Sequence, residues 1–151
     1  MLLVENHFIY NYLKKKYILN KMFIDIHENR TYPMSNESDL QAIIVDYLRQ
    51  TDLLFTCTLG GTLSTSQSRL NAWKQGYQKG VLDIMIYSPS GCGKYKGFGL
   101  ELKTVKGLGK ISPEQQNWMT RLEIESEWFS MCSNDLIVII ETLTKYIHGV
   151  L

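Results

Sequence analysis

Two apolar runs, VLDIMIY (Val81 to Tyr87) and FGLELKTV (Phe98 to Val105), flank the stretch SPSGCGKYKG, which is rich in turn-forming residues. Runs of this length bounded by Gly, Ser and Pro read as two strands joined by a hairpin connection. Each run carries one carboxylate, Asp83 and Glu101, and the second adds Lys103. Side chains alternate across a strand, so Phe98, Leu100 and Leu102 turn to the core while Gly99, Glu101 and Lys103 turn the other way. Gly97 and Gly99 are expected to leave that second face open ahead of the acid. If the strands pair across the turn, Asp83 comes close to Glu101. Carboxylates so placed repel, and burial makes the repulsion worse. A divalent cation removes both penalties, and an all-oxygen set suits Mg2+ or Mn2+, with waters and a backbone carbonyl filling the shell. Such an ion holds a scissile phosphate and lowers the pKa of the water that attacks it. Lys103 would stabilise charge on the phosphorane or orient the nucleophile. For E-x-K taken alone, a solvent-facing ion pair on an exposed sheet face stays open as the alternative.

The rest of the chain supplies a frame for this hairpin. Ser35 or Asn36 caps a helix over about Glu37 to Gln50, with Leu40, Ile43, Ile44, Tyr47 and Leu48 as its apolar stripe. LLFTCTL (Leu53 to Leu59) reads as a strand ended by GGT, and Ser66 to Lys74 as a short helix carrying Arg69 and Trp73. KGLGKI is a basic loop. SPEQQNWMTRLEIES has strong helix-start signals, with Ser112 at the cap, Pro113 at the first position and Gln115 three after the cap. EWFSMCS reads as a last strand. NDLIVIIETLTKYIHGV looks β by propensity at Leu136 to Ile140, but its length and a cap at Asn134 or Asp135 favour a helix. The expected order is α β α β β α β α, a small mixed α/β domain with helices covering the sheet. Met1 to Pro33 is aromatic and basic, with weak helical periodicity, and reads as an extension. Met34 has the look of a natural domain start.

At 151 residues the chain suits one compact domain. No apolar stretch is long enough to span a bilayer. Cys57, Cys92 and Cys132 form neither a zinc pattern nor a disulfide framework, so a reducing, cytoplasmic compartment is expected. The net charge of +1 hides a segregation. From Thr58 to Arg121 nine basic residues face three acids, giving +6, and from Leu122 onward the charge is −4. That pattern fits a basic face for a polyanion and equally a solvated surface.

The motifs taken in order resemble the VRR-NUC branch of the PD-(D/E)XK nucleases. They are Gly76, Gly80 and Asp83 as G-x-x-x-G-x-x-D, then Glu101-Leu102-Lys103, then GKISPEQQNW, with ESDLQAIIVDYL similar to that branch's first helix. The resemblance spans roughly residues 34–151 and implies a restriction-endonuclease-like core. It also implies that Asp83, Glu101 and the Leu102 carbonyl hold the cation, with Lys103 as catalytic lysine. Glu37 would reach the same cation directly or through water, and Gln115 would position Lys103 or the substrate. Glu37 has a rival reading as a first-turn acid favoured by the helix dipole, and Gln115 as a capping-box residue. Leu82 stands where the family usually has proline, a change expected to affect strand entry rather than chemistry.

The resemblance further implies a Mg2+- or Mn2+-dependent DNA endonuclease acting on branched DNA such as four-way junctions, of a kind associated with phages and other mobile replicons. Paired cuts imply a two-fold homodimer. Arg69, Lys74, Lys79, Lys106 and Lys110 are candidates for phosphate contacts. A catalytically idle DNA-binding module and a restriction-type duplex nuclease are the alternatives.

Overall fold

The computed structural model describes residues 22–25, 30–33, 36–58, 63–104 and 109–151, the first two segments by backbone alone. Lys106, one of the expected phosphate contacts, lies outside the described residues. The elements in chain order are β1 (Met22–Asp25), β2 (Arg30–Pro33), α1 (Glu37–Leu48), β3 (Phe55–Cys57), α2 (Ser66–Lys74), β4 (Ile84–Ile86), β5 (Phe98–Leu102), α3 (Pro113–Ser126), β6 (Phe129–Ser133) and α4 (Leu136–His148). From α1 onward the order is the one the sequence leads one to expect. The helical periodicity read before Pro33 is not what forms over the described part. There β1 and β2 pair antiparallel with each other, Met22 opposite Pro33, and do not join the main sheet.

The main sheet has the order β3-β4-β5-β6. β3/β4 and β4/β5 are antiparallel, and β5/β6 is parallel. A parallel neighbour requires a crossover, and α3 supplies it. On one face of the sheet, Ile84, Ile86, Phe98, Leu100 and Leu102 pack against the stripes of α1 and α4. On the other, Leu82, Met85, Met119 and Leu122 form a smaller cluster beneath α3, joined by Trp118 and Trp128. All residues of β4 and β5 are buried, as suits strands covered on both faces.

The ambiguous segment before the C-terminus is a helix because its ends and its period agree. Asp135 accepts from the backbone N–H groups of Ile137 and Val138, and Gly149 closes the helix in the left-handed region. Leu136, Ile139, Ile140, Leu143 and Tyr146 fall on the buried stripe while Val138 points outward. Packing on the sheet overrides the β preference of the Ile-Val-Ile-Ile run.

One expectation about the second sheet face is overturned. Gly97 and Gly99 do not open it. A side chain at Gly97 would meet the Trp128 ring at 2.3 Å, and one at Gly99 would meet Leu82 Cδ1 at 2.6 Å. These glycines let large apolar groups of α3's layer close onto the strand. The face therefore has a packed half, at Gly97 and Gly99, and a polar half, at Glu101 and Lys103.

Candidate active site

The pairing of β4 with β5 matches Ile84 with Leu100 and Ile86 with Phe98. Continued by one residue, that register puts Asp83 opposite Glu101 on the face away from the larger core. An Asp83 carboxylate oxygen accepts from the backbone N–H of Leu102 at 2.8 Å, which pins the acid at the end of β4. Glu101 is 2% exposed, as buried as the leucines beside it. Its Oε1 accepts from Lys103 Nζ at 2.7 Å and from Gln115 Nε2. Its Oε2 is buried with no hydrogen-bond partner among the described residues. The solvent-facing ion pair weighed for E-x-K is thus not what forms: Glu101 is buried and Lys103 half-buried.

Gln115 makes contacts that suit both of the readings that the sequence left open. It completes the capping box of α3: its N–H donates to Ser112 Oγ at 3.1 Å, and its Oε1 accepts from the Ser112 N–H at 2.9 Å. The same Oε1 accepts from Lys103 Nζ at 3.2 Å. A single side chain thereby ties the start of α3 to the acid–lysine pair. Gly80 permits the approach. It sits at φ +87°, and a Cβ there would fall 2.5 Å from the Glu114 carbonyl carbon and 2.8 Å from the Gln115 nitrogen. Only glycine meets both demands without strain.

Asp83, Glu101, Lys103 and Gln115 line one cavity of about 430 Å3 with Glu37 and Tyr77. Glu37 enters from the first turn of α1, which Asn36 caps. The electrostatics follow from this crowding. Burial pushes Glu101 up to about 7, with repulsion from Asp83 and Glu37 adding to it, while the Lys103 hydrogen bond pulls the other way and loses. Burial also raises Asp83, against the pull of the Leu102 N–H and of Lys103. Glu37 is raised by burial and by Asp83. Burial alone would lower Lys103, but the hydrogen bond and charge of Glu101 outweigh it and hold the ammonium protonated. Tyr77 is raised by burial and by both Asp83 and Glu101, so its hydroxyl stays neutral beside them.

The described residues hold no ready cage of three or more His, Cys, Asp or Glu side chains. The carboxylates that line the cavity are those of Glu101, Asp83 and Glu37, and Lys103 partly neutralises them. A buried carboxylate oxygen without a donor, beside further carboxylates, fits a hard divalent cation far better than it fits a further hydrogen bond.

The five expected phosphate contacts scatter. Arg69 and Lys79 line the cavity. Lys74 and Lys110 are exposed but do not line it. The basic stretch is also less free than its count implies. Lys79 pairs with Glu114, Lys96 with Glu127, Lys103 with Glu101 and Arg121 with Glu125. Two of those acids come from the acidic C-terminal part of the chain, so the segregation along the sequence is partly undone in space. Reasoning from sequence missed Tyr77 and did not place Trp73 at the site. A signal was there for Trp73, four residues after Arg69 on one short helix; Tyr77, past the helix end, joins them at the cavity only through the fold.

No family model matches the chain, and no curated protein matches it. A solved structure described as a VRR_NUC domain protein shares its fold, with a TM-score of 0.58 and 16% sequence identity over 74% of this chain and 87% of that one. At this identity the likeness is one of fold: a mixed sheet flanked by helices, as expected for a restriction-endonuclease-like core. No helix among the described residues is long and apolar enough to cross a membrane.

Proposed function

We propose that the chain is a VRR-NUC-type nuclease domain that hydrolyses DNA phosphodiester bonds with a divalent cation, Mg2+ or Mn2+, and that branched DNA is its substrate. The carrying observation is the state of Glu101. Its side chain is almost wholly buried, one oxygen is held by Lys103 and Gln115, and the other finds no donor among the described residues. A protein that needed only an ion pair here would satisfy both oxygens. Likeness of fold to a VRR_NUC domain protein supports the same reading.

Asp83 and Glu101 would hold the cation, with the Leu102 carbonyl beside them and Glu37 reaching it directly or through water. When bound, such an ion polarises a phosphoryl oxygen and lowers the pKa of a coordinated water. The chain's own residues do the rest. Lys103, kept protonated by Glu101, presents its ammonium to the negative charge that builds on the phosphorane. Gln115 holds Lys103 and Glu101 in register, because its own amide is fixed by the cap of α3. The Asp83–Leu102 hydrogen bond locks the second acid to the strand that carries the first. Arg69 at the cavity wall offers a phosphate contact that reads backbone rather than sequence. On four-way junctions a two-fold homodimer would place two such sites for paired cuts.

The test is a substrate panel of linear duplex, flap and four-way junction, each incubated with Mg2+, with Mn2+ and with EDTA, for the wild type and Lys103→Ala. Metal-dependent cleavage by the wild type, strongest on branched substrates and lost in Lys103→Ala, is the expected outcome. Binding in every condition with cleavage in none would replace the nuclease with a DNA-binding module. A single mass corresponding to one chain by light scattering, with and without DNA, would remove the paired-cut reading alone.

A further inference from the structure

Helix α2 spans Ser66–Lys74, and none of its residues is buried. A helix this short is marginal without packing. What holds it is local: a reciprocal capping box between Thr65 and Ser68, Arg69 donating to the carbonyls of Leu63 and Ser64, and the Tyr77 N–H returning to the Ala72 carbonyl. On this weakly anchored helix sits Trp73, 68% exposed. Neither the core nor the helix needs an indole there, since Trp73 belongs to neither apolar cluster.

Its position supplies the missing reason. Arg69 and Trp73 are four apart on α2 and so share one of its faces, and with Tyr77, just past the helix end, they form a wall of the cavity that holds Asp83, Glu101 and Lys103. Tyr77 is close enough to both carboxylates to feel their charge. The wall thus offers a phenol near the acids, an exposed indole and a guanidinium. The cavity volume of about 430 Å3 is that of a pocket for one small group. A flat aromatic face flanked by a cation, beside a site for phosphate, is the chemistry that binds an unstacked base and its backbone.

We propose that the Arg69–Trp73–Tyr77 wall receives a single unpaired nucleotide next to the phosphate to be cut, its base stacked on Trp73 and its backbone phosphate met by Arg69. This rests on the DNA-cutting reading of the site and narrows its substrate: the DNA must present an unpaired nucleotide at the cleavage point. The preference for branched DNA then has a cause within one chain, because the nucleotides at branch points unpair most easily. Tyr77 lines the floor between the stacked base and the acids as a positioning residue.

The experiment separates this inference from the nuclease reading by measuring binding in EDTA, where cleavage plays no part. Three labelled probes of equal length are used: single-stranded oligodeoxythymidylate, an abasic strand with the same phosphates and no bases, and blunt duplex. Trp73→Ala is expected to weaken binding of oligodeoxythymidylate about tenfold and Trp73→Phe to restore most of it, with the Trp73→Ala deficit absent on the abasic strand. Circular dichroism confirms the fold, which truncation of so exposed a side chain leaves intact. Equal binding of oligodeoxythymidylate by wild type and Trp73→Ala would overturn the proposal. So would an equal loss on the abasic strand, or stronger wild-type binding to blunt duplex than to the single strand. Base-dependent binding through Trp73 without any metal-dependent cleavage would retain the wall and reject the nuclease. Cleavage without Trp73 dependence would do the reverse.

Discussion

Strand β5 presents two faces built on opposite principles. Phe98, Leu100 and Leu102 face α1 and α4, where they join a large cluster of buried apolar side chains. Glu101, one residue away, is just as deeply buried but faces Asp83, Lys103 and Gln115. Burial stabilises the first face and penalises the second. Removing apolar surface from water gains about 25 cal/mol per Å2, whereas a buried carboxylate needs donors for both oxygens and here, among the described residues, finds them for one. A protein keeps such a penalty next to a well-packed core where the polar face does chemistry. The two faces should therefore respond to perturbation with opposite signs.

The sharpest way to break that contrast is Lys103→Ala. Cleavage of a preferred substrate in saturating Mg2+ should fall by about 10²–10³, the loss typical of one charge-stabilising group, with the circular dichroism spectrum unchanged. An activity within about threefold of wild type would remove Lys103 from the chemistry.

Next in size is a paired comparison on β5. Leu100→Ala should destabilise the fold by about 2–5 kcal/mol, since it opens a cavity in the large core. Glu101→Gln should raise stability at pH 8 without metal, and should abolish cleavage when metal is supplied. Urea unfolding measures both. If Glu101→Gln destabilises as Leu100→Ala does, the carboxylate is a structural element and not a held penalty.

The pH dependence follows from the same group. The ordinary carboxyl value of 4.5 is pushed up to about 7 in the fold, so between those values the folded state binds more protons than the unfolded one. Stability is full below the unfolded value and falls as pH rises through 7. The span amounts to about 3 kcal/mol. The metal-free wild type should thus lose melting temperature from pH 5 to 8, Mg2+ or Mn2+ should restore it, and Glu101→Gln should flatten the profile. A melting temperature that rises with pH would contradict the assignment.

Gly80→Ala comes next. It places a methyl against the Glu114 and Gln115 backbone at a positive φ, and should cost about 1–3 kcal/mol. It should lower cleavage further than stability alone explains, because Gln115 shifts away from Lys103. The smallest effect belongs to Lys79→Ala at the rim. Its exposed pair with Glu114 should leave the melting temperature unchanged, while DNA binding weakens and becomes less salt-sensitive.

Much of this arrangement is legible in the sequence, and the reasons are local. Alternation in FGLELKTV separates Leu100 and Leu102 from Glu101 and Lys103, and antiparallel pairing across the turn-rich connection brings Asp83 opposite. Ser112, Pro113 and Gln115 announce the start of α3 because capping acts within four residues. What the sequence conceals is set by contacts across the fold. Gly97 and Gly99 look like openings until Trp128 and Leu82 are seen to fill them. Lys96 and Arg121 look like free cations until Glu127 and Glu125 reach them. Trp73 reads only as a residue carried by a short helix, and its exposure beside the cavity appears only when α2 is placed relative to β4 and β5.

The central claim is that Asp83 and Glu101 share a divalent cation, and calorimetric titration of Mn2+ or Mg2+ into the chain at pH 7 tests it most directly. The account predicts one cation per chain, with proton release shown by heats that differ between buffers of different ionisation enthalpy, because a Glu101 titrating near 7 must deprotonate to bind. Asp83→Asn and Glu101→Gln should each abolish the uptake. No uptake by the wild type, even with branched DNA present, would contradict the claim.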